Sequence, residues 1–163
     1  MRFLALLAAL LAPVVLRAQA TPDRPSIQLG LGAAPGVGIF AAQSTPLLTL
    51  FARDVAVYTN YVPGDEGQIL LAAGVGAAIR VTRVLEVTGS IEPPAFDLDV
   101  GFRTGPAFRF ALFEQTAASK ARAFRLFADP YVRVASTLPN GRRLFAEVGP
   151  HAPTFRLGLV IGQ

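Results

Sequence analysis

Apolar and polar positions alternate with a period of two from Gln68 to Arg103. Ile69, Leu71, Ala73, Val75, Ala77 and Ile79 take one face, and Gln68, Gly74, Gly76 and Arg80 take the other. Leu85, Val87, Gly89 and Ile91 then oppose Glu86, Thr88, Ser90 and Glu92. Phe96, Leu98, Val100 and Phe102 oppose Asp97, Asp99, Gly101 and Arg103. Successive side chains of a strand point to opposite faces, so this stretch predicts three antiparallel strands with one apolar side.

The same rhythm runs through the rest of the chain. Ile27, Leu29 and Leu31 alternate with Gln28, Gly30 and Gly32. Val37 to Gln43 predicts a short strand and Leu47 to Tyr61 a long one, whose alternation blurs at Arg53-Asp54, where a bulge or register slip is expected. Phe108 to Leu112, Phe124 to Val134, Leu144 to Val148 and Phe155 to Ile161 complete ten strand segments. Pro130 removes a ladder donor, so a bulge or strand end is expected there. Ala34-Pro35-Gly36, Ser44-Thr45-Pro46, Thr104-Gly105-Pro106 and Pro139-Asn140-Gly141 read as turns. Tight joints near Thr82, Gly105 and Asn140 alternate with looser ones at Pro63–Gly67, Glu92–Ala95, Glu114–Lys120 and Gly149–Pro153. Short turns at one end and longer loops at the other predict an all-β, antiparallel up-and-down transmembrane β-barrel of 8–10 strands.

The first twenty residues stand apart. Arg2, the apolar run Phe3 to Leu16 and the small-residue site Ala18-Gln19-Ala20 have the three parts of a secretory signal peptide, cleaved before Thr21. The run is shorter than the roughly 20 apolar residues of a spanning helix. Residues 1–20 are therefore expected to be removed, and 21–163 to form a single β-barrel domain. The formal charge of +4 falls to +2 without Arg2 and Arg17. Basic residues are scattered singly, which argues against nucleic acid as a partner. The chain has no cysteine, so it has neither a disulfide framework nor zinc–thiolate sites. Yet 52% of it is hydrophobic, an excess that calls for a large core or for lipid.

The polar face suggests which. Gly, Ala, Ser and Thr lie between charges of both signs: Arg80, Arg103, Arg109, Arg125, Arg133, Arg143 and Arg156 against Glu86, Glu92, Asp97, Asp99, Asp129 and Glu147. Lys120 is the single lysine. Arginine is the cation suited to buried pairing, and a solvated surface usually carries lysine as well. A narrow lumen with a charge network, formed by Arg80, Glu86, Asp97, Asp99, Arg103, Arg109, Arg125, Asp129, Arg133, Arg143, Glu147 and Arg156, fits this face better than open surface.

On its signal peptide and strand pattern, the mature chain resembles the small outer-membrane β-barrel proteins, a class that includes the transmembrane domain of outer-membrane protein A. The resemblance implies location in the outer membrane of a Gram-negative envelope, contact with outer-membrane lipid and insertion by the barrel-assembly machinery. It implies a structural or interaction role. A barrel of this size, just wide enough for side chains and carrying this many inward charges, is expected to have a plugged lumen, and no cofactor is expected. Members usually end on an aromatic residue, whereas this chain closes with Gly162-Gln163. It has no Trp for the interfacial girdles, only Tyr58, Tyr61 and Tyr131. The alternatives are a narrow solute channel, a lipid-modifying outer-membrane enzyme, or a soluble exported β-barrel or sandwich that binds a ligand.

Candidate chemistry is sparse, and catalysis is not the expected role. His151, the only histidine, sits in Gly149-Pro150-His151-Ala152-Pro153-Thr154 with no Ser close in sequence, and reads as a solvated loop residue. Asp97 and Asp99 lie about 7 Å apart along one strand face, as paired acids, a cation site or partners of arginines. Asp65-Glu66 reads as a turn. The glycines of Gly30-Leu31-Gly32 and Gly36-Val37-Gly38 mimic a nucleotide loop, but no helix-period segment follows them.

Overall fold

A computed structural model describes residues 25–48, 50–65, 67–90, 96–113 and 123–161. The expected signal peptide lies outside the described residues. Eight antiparallel strands follow one another around a closed barrel: β1 (Ser26–Ala33), β2 (Val37–Leu48), β3 (Phe51–Val62), β4 (Gln68–Arg80), β5 (Phe96–Ala111), β6 (Phe124–Thr137), β7 (Arg143–Val148) and β8 (Phe155–Ile161). β8 closes on β1 through pairs running from Ile27 with Ile161 to Ala33 with Phe155. One short helix, α1 (Val81–Val87), interrupts the run between β4 and β5.

Eight strands replace the ten segments for two reasons. Residues 104–106 are not a turn: β5 passes straight through Thr104-Gly105-Pro106, and Gly105 and Pro106 pair with Phe127 and Leu126 of β6. The missing N–H of Pro106 shows instead as a gap in the ladder to β4, between Ala72–Ala107 and Val75–Thr104. The segment from Leu85 to Ile91 is not a strand either. Val81, Val84, Leu85 and Thr88 also fit a helical spacing, and Gly89 at φ +71° closes α1. Its N–H donates to Glu86 O and that of Ser90 to Leu85 O, each at 2.9–3.0 Å, as in a left-handed glycine stop.

Two further expectations shift. Ser44-Thr45-Pro46 lies inside β2, which continues to Leu48 and pairs there with Phe51 across a tight link. The blur at Arg53-Asp54 therefore marks no bulge at that point. Leu47–Tyr61 spans the end of β2 and all of β3 but Val62, and the register shift falls between Pro46 and Leu48. β6 runs unbroken through Pro130, although its ladder to β7 ends at Val132–Val148. The two ends of the barrel are not divided into tight and loose. The longest link, residues 81–95, lies at the end that carries the start of β1 and the end of β8.

The faces are sorted inside out relative to a soluble barrel. Outward positions carry Leu31, Ile39, Val57, Val75, Phe102, Leu126, Val132, Phe155 and Leu157, all exposed. Inward positions are mostly buried or half-buried, and most of the charges on the strands lie among them. Bulk inside is unequally divided. Ala42, Ala52, Ala56, Ala72, Gly74, Gly76 and Ala78 keep much of the β2–β4 wall thin, while Arg103, Phe127, Tyr131, Arg133, Phe145 and Arg156 reach across from β5–β8. An eight-stranded barrel has room for side chains and little else, so thin walls must face thick ones.

Candidate functional site

The interior is organised by three arginines and three carboxylates, each at most 2% exposed: Arg103, Arg133 and Arg156 with Asp54, Asp129 and Glu147. Glu147 from β7 is the centre. Its Oε1 accepts from Arg103 Nη1 at 2.7 Å and Arg156 Nη1 at 2.6 Å. Its Oε2 accepts from Arg103 Nη2 and Arg133 Nε, both at 2.8 Å. Asp54 Oδ2 accepts from Arg103 Nε at 2.6 Å, Arg133 Nη2 at 3.0 Å and the Tyr131 hydroxyl at 2.6 Å. Asp129 takes Arg156 Nη2 on Oδ1 at 3.2 Å, with Arg156 Nη1 2.9 Å from Oδ2, and the Tyr58 hydroxyl donates to Oδ2 at 2.8 Å.

The arginines also lie over ring faces. The Arg103 guanidinium is 3.8 Å from the Tyr131 ring centre, and that of Arg156 is 4.7 Å from Tyr58. Rings supply partial negative charge on the faces that carboxylates do not reach. Three cations against three anions leave the cluster formally neutral, the condition under which buried charge is tolerable.

The predicted network residues separate into groups. Arg103, Asp129, Arg133, Glu147 and Arg156 meet in this one cluster. Asp99 stands 3.9 Å from Arg133 and opposite Arg80 in the β4–β5 register. Asp97 pairs with Arg143, half-buried and apart from the cluster. Asp97 thus has its own arginine, whereas Asp99 borders one that Asp54 and Glu147 already share. Arg80 and Arg109 are partly buried, and Arg125 is exposed at the start of β6. Glu86 is a correction: it sits on α1 and pairs with Arg83 at 2.8 Å, because the helix removes it from the sheet.

Sequence reasoning missed Asp54, Tyr58, Tyr131 and His151. Asp54 was hidden by the tight link between β2 and β3, which makes two strands read as one. Tyr58 and Tyr131 are not girdle residues, since both point inward and only Tyr61 faces out. His151 is 5% exposed, not solvated. Its loop turns into the barrel mouth, where the ring stacks on Phe127 at 4.1 Å between centroids and 13°. Burial holds its pKa well down, at about 4, with Asp129 opposing and Arg125 and Arg156 reinforcing the shift. No Ser lies against it among the contacts described, and its Nε2 has no hydrogen-bond partner. Among the described residues no group of His, Asp and Glu has the arrangement of a metal site.

The fold and this interior define a closed, up-and-down eight-stranded β-barrel with an apolar exterior and an ionic core. Compared with known proteins, the chain matches no family model, no curated protein and no solved structure.

Proposed function

We propose that the chain is a small outer-membrane β-barrel protein, exported by a signal peptide cleaved before Thr21, whose lumen is plugged by its own side chains and whose role is structural or interactive. The observation that carries this reading is the distribution of side chains across the wall. Large apolar residues stand exposed on every strand, among them Leu31, Ile39, Val57, Val75, Phe102, Leu126, Val148 and Leu157. A soluble barrel turns those positions inward, because exposed apolar patches beyond a few hundred Å² are rare on monomers. Closure leaves no unpaired sheet edge along β1 and β8, as a spanning structure needs. The neutral ionic core occupies the level where a pore would run, and bulk ions crossing there would have to break charge-assisted bonds. On this reading the start of β1, the end of β8 and α1 lie on the periplasmic side, with lipid around the belt.

Cell fractionation together with a heat-shift gel tests the reading. The protein should be found with outer membranes, and a boiled sample should migrate differently from an unheated one. In planar bilayers it should give no steady conductance of porin size. A heat-indifferent protein in the soluble periplasm would overturn the membrane assignment. Steady porin-sized openings would overturn the plug and favour a channel.

A further inference from the structure

The loop Gly149–Thr154 between β7 and β8 is folded into the barrel mouth at the end opposite the start of β1 and the end of β8. Gly149, His151 and Pro153 are buried, and Pro150 faces out. The His151 ring lies flat on Phe127 and edge-on to Tyr58, 5.3 Å away. The backbone N–H of His151 donates to Asp129 Oδ1 at 3.2 Å, and its carbonyl accepts from Arg156 Nη2 at 2.8 Å. Pro153 O accepts from Arg156 Nε, also at 2.8 Å. Two loop carbonyls and one N–H are thereby tied to the ionic core, and one ring fills the mouth.

We propose that this loop is a latch on the mouth of the barrel, released when His151 takes a proton. The docked site suits a neutral imidazole only. Nε2 is buried without a hydrogen-bond partner, so an added N–H there would point at no acceptor. The titratable and charged groups around the ring are Tyr58 from β3, Arg125 and Asp129 from β6, and Arg156 from β8. Asp129 alone favours the imidazolium, and it is already engaged by Arg156 and Tyr58. Once released into water, the ring regains an ordinary pKa of about 6.5.

The sign follows from that difference. The docked pKa is the lower one, so docking is at full strength above about pH 6.5. It weakens by about tenfold for each pH unit as pH falls toward 4, then levels off. What the latch covers rests on the plugged-lumen reading. The release itself does not.

Two measurements on detergent-refolded protein test it. His151 is the only histidine, so its imidazole C–H resonance in the native chain is unambiguous; it should titrate well below 6.5. The chain has no cysteine, so Pro150→Cys offers a single exposed site for a nitroxide. That label should be immobilised at pH 7.5 and more mobile at pH 4.5, with the strand circular dichroism unchanged. His151→Phe keeps a ring for Phe127 but takes no proton, and should hold the label immobile at both pH values. A His151 midpoint at the ordinary value, a label indifferent to pH, or acid release persisting in His151→Phe would each overturn the latch. If His151→Phe does not fold, the native titration and the label decide alone. Neither readout depends on cellular location or conductance, so failure of the latch and failure of the outer-membrane reading are separable.

Discussion

Arg103 of β5 and Glu147 of β7 meet in a two-pronged ion pair across the intervening strand, Nη1 to Oε1 at 2.7 Å and Nη2 to Oε2 at 2.8 Å. Both side chains are buried, so removing one leaves the other charged and dry. Glu147→Leu should cost about 3–5 kcal/mol, because Arg103, Arg133 and Arg156 then face two carboxylates. Arg103→Met combined with Glu147→Leu should cost less than the sum of the single changes. Urea unfolding of the refolded protein measures all three, and additive losses would show that the pair is not coupled.

Val100 and Gly101 test the two faces of one strand. If the barrel spans a bilayer with Val100 near its midplane, Val100→Arg should cost about 2–4 kcal/mol in vesicles. Gly101 is no harmless control, because a Cβ there would run into the Tyr131 ring. Gly101→Ser should cost about 1–3 kcal/mol by overpacking, in detergent as well as in lipid. A Val100→Arg penalty that is the same in detergent and lipid would remove the lipid from the explanation.

Gly89 ends α1 in a conformation that other residues adopt at a cost of roughly 1–2 kcal/mol. Gly89→Val should fray the helix end without opening the barrel. Hydrogen exchange should quicken at Gly89 and Ser90, whose amides close the last turn, while strand amides keep their protection. Loss of protection throughout the sheet would mean that α1 is needed for closure.

The mature N-terminus is a separate test. Intact-mass measurement of the exported protein should give a chain beginning at Thr21. A retained Met1 to Ala20 would make the leader an anchor.

Much of the barrel was legible because its wall obeys one rule, outward apolar and inward small or charged. β1 carries that alternation throughout, and β4, β6 and β8 depart from it only where Leu70, Phe127, Tyr131 and Val160 point inward as bulky residues. The failures came where local punctuation competed with it. Thr104-Gly105-Pro106 looks like a turn, yet Phe102, Thr104, Pro106, Phe108 and Phe110 keep one parity throughout, which a turn would not require. Ser44-Thr45-Pro46 misled in the same way. The Val81–Val87 stretch fits periods of both 2 and 3.6, and Gly89 was the residue that decided between them. The ionic cluster was half visible: inward parity found Arg103, Asp129, Arg133, Glu147 and Arg156 but gave no distances. Asp54 was lost with the link before β3. No pattern in Gly149–Thr154 announced that the loop would turn inward.

Asp54 has a consequence for how the barrel is made. It is the only one of the six buried charges that comes from the first half of the chain. β5–β8 on their own bring three guanidiniums together with two carboxylates, an excess of one positive charge in a site that excludes water. β1–β4 on their own offer a thin-walled sheet, with little bulk opposite Ala52, Ala56, Ala72 and Ala78. Neither half is a smaller version of the whole. The two should therefore assemble in a single cooperative step, and a chain truncated before β5 should be cleared by proteases rather than persist as a half-barrel.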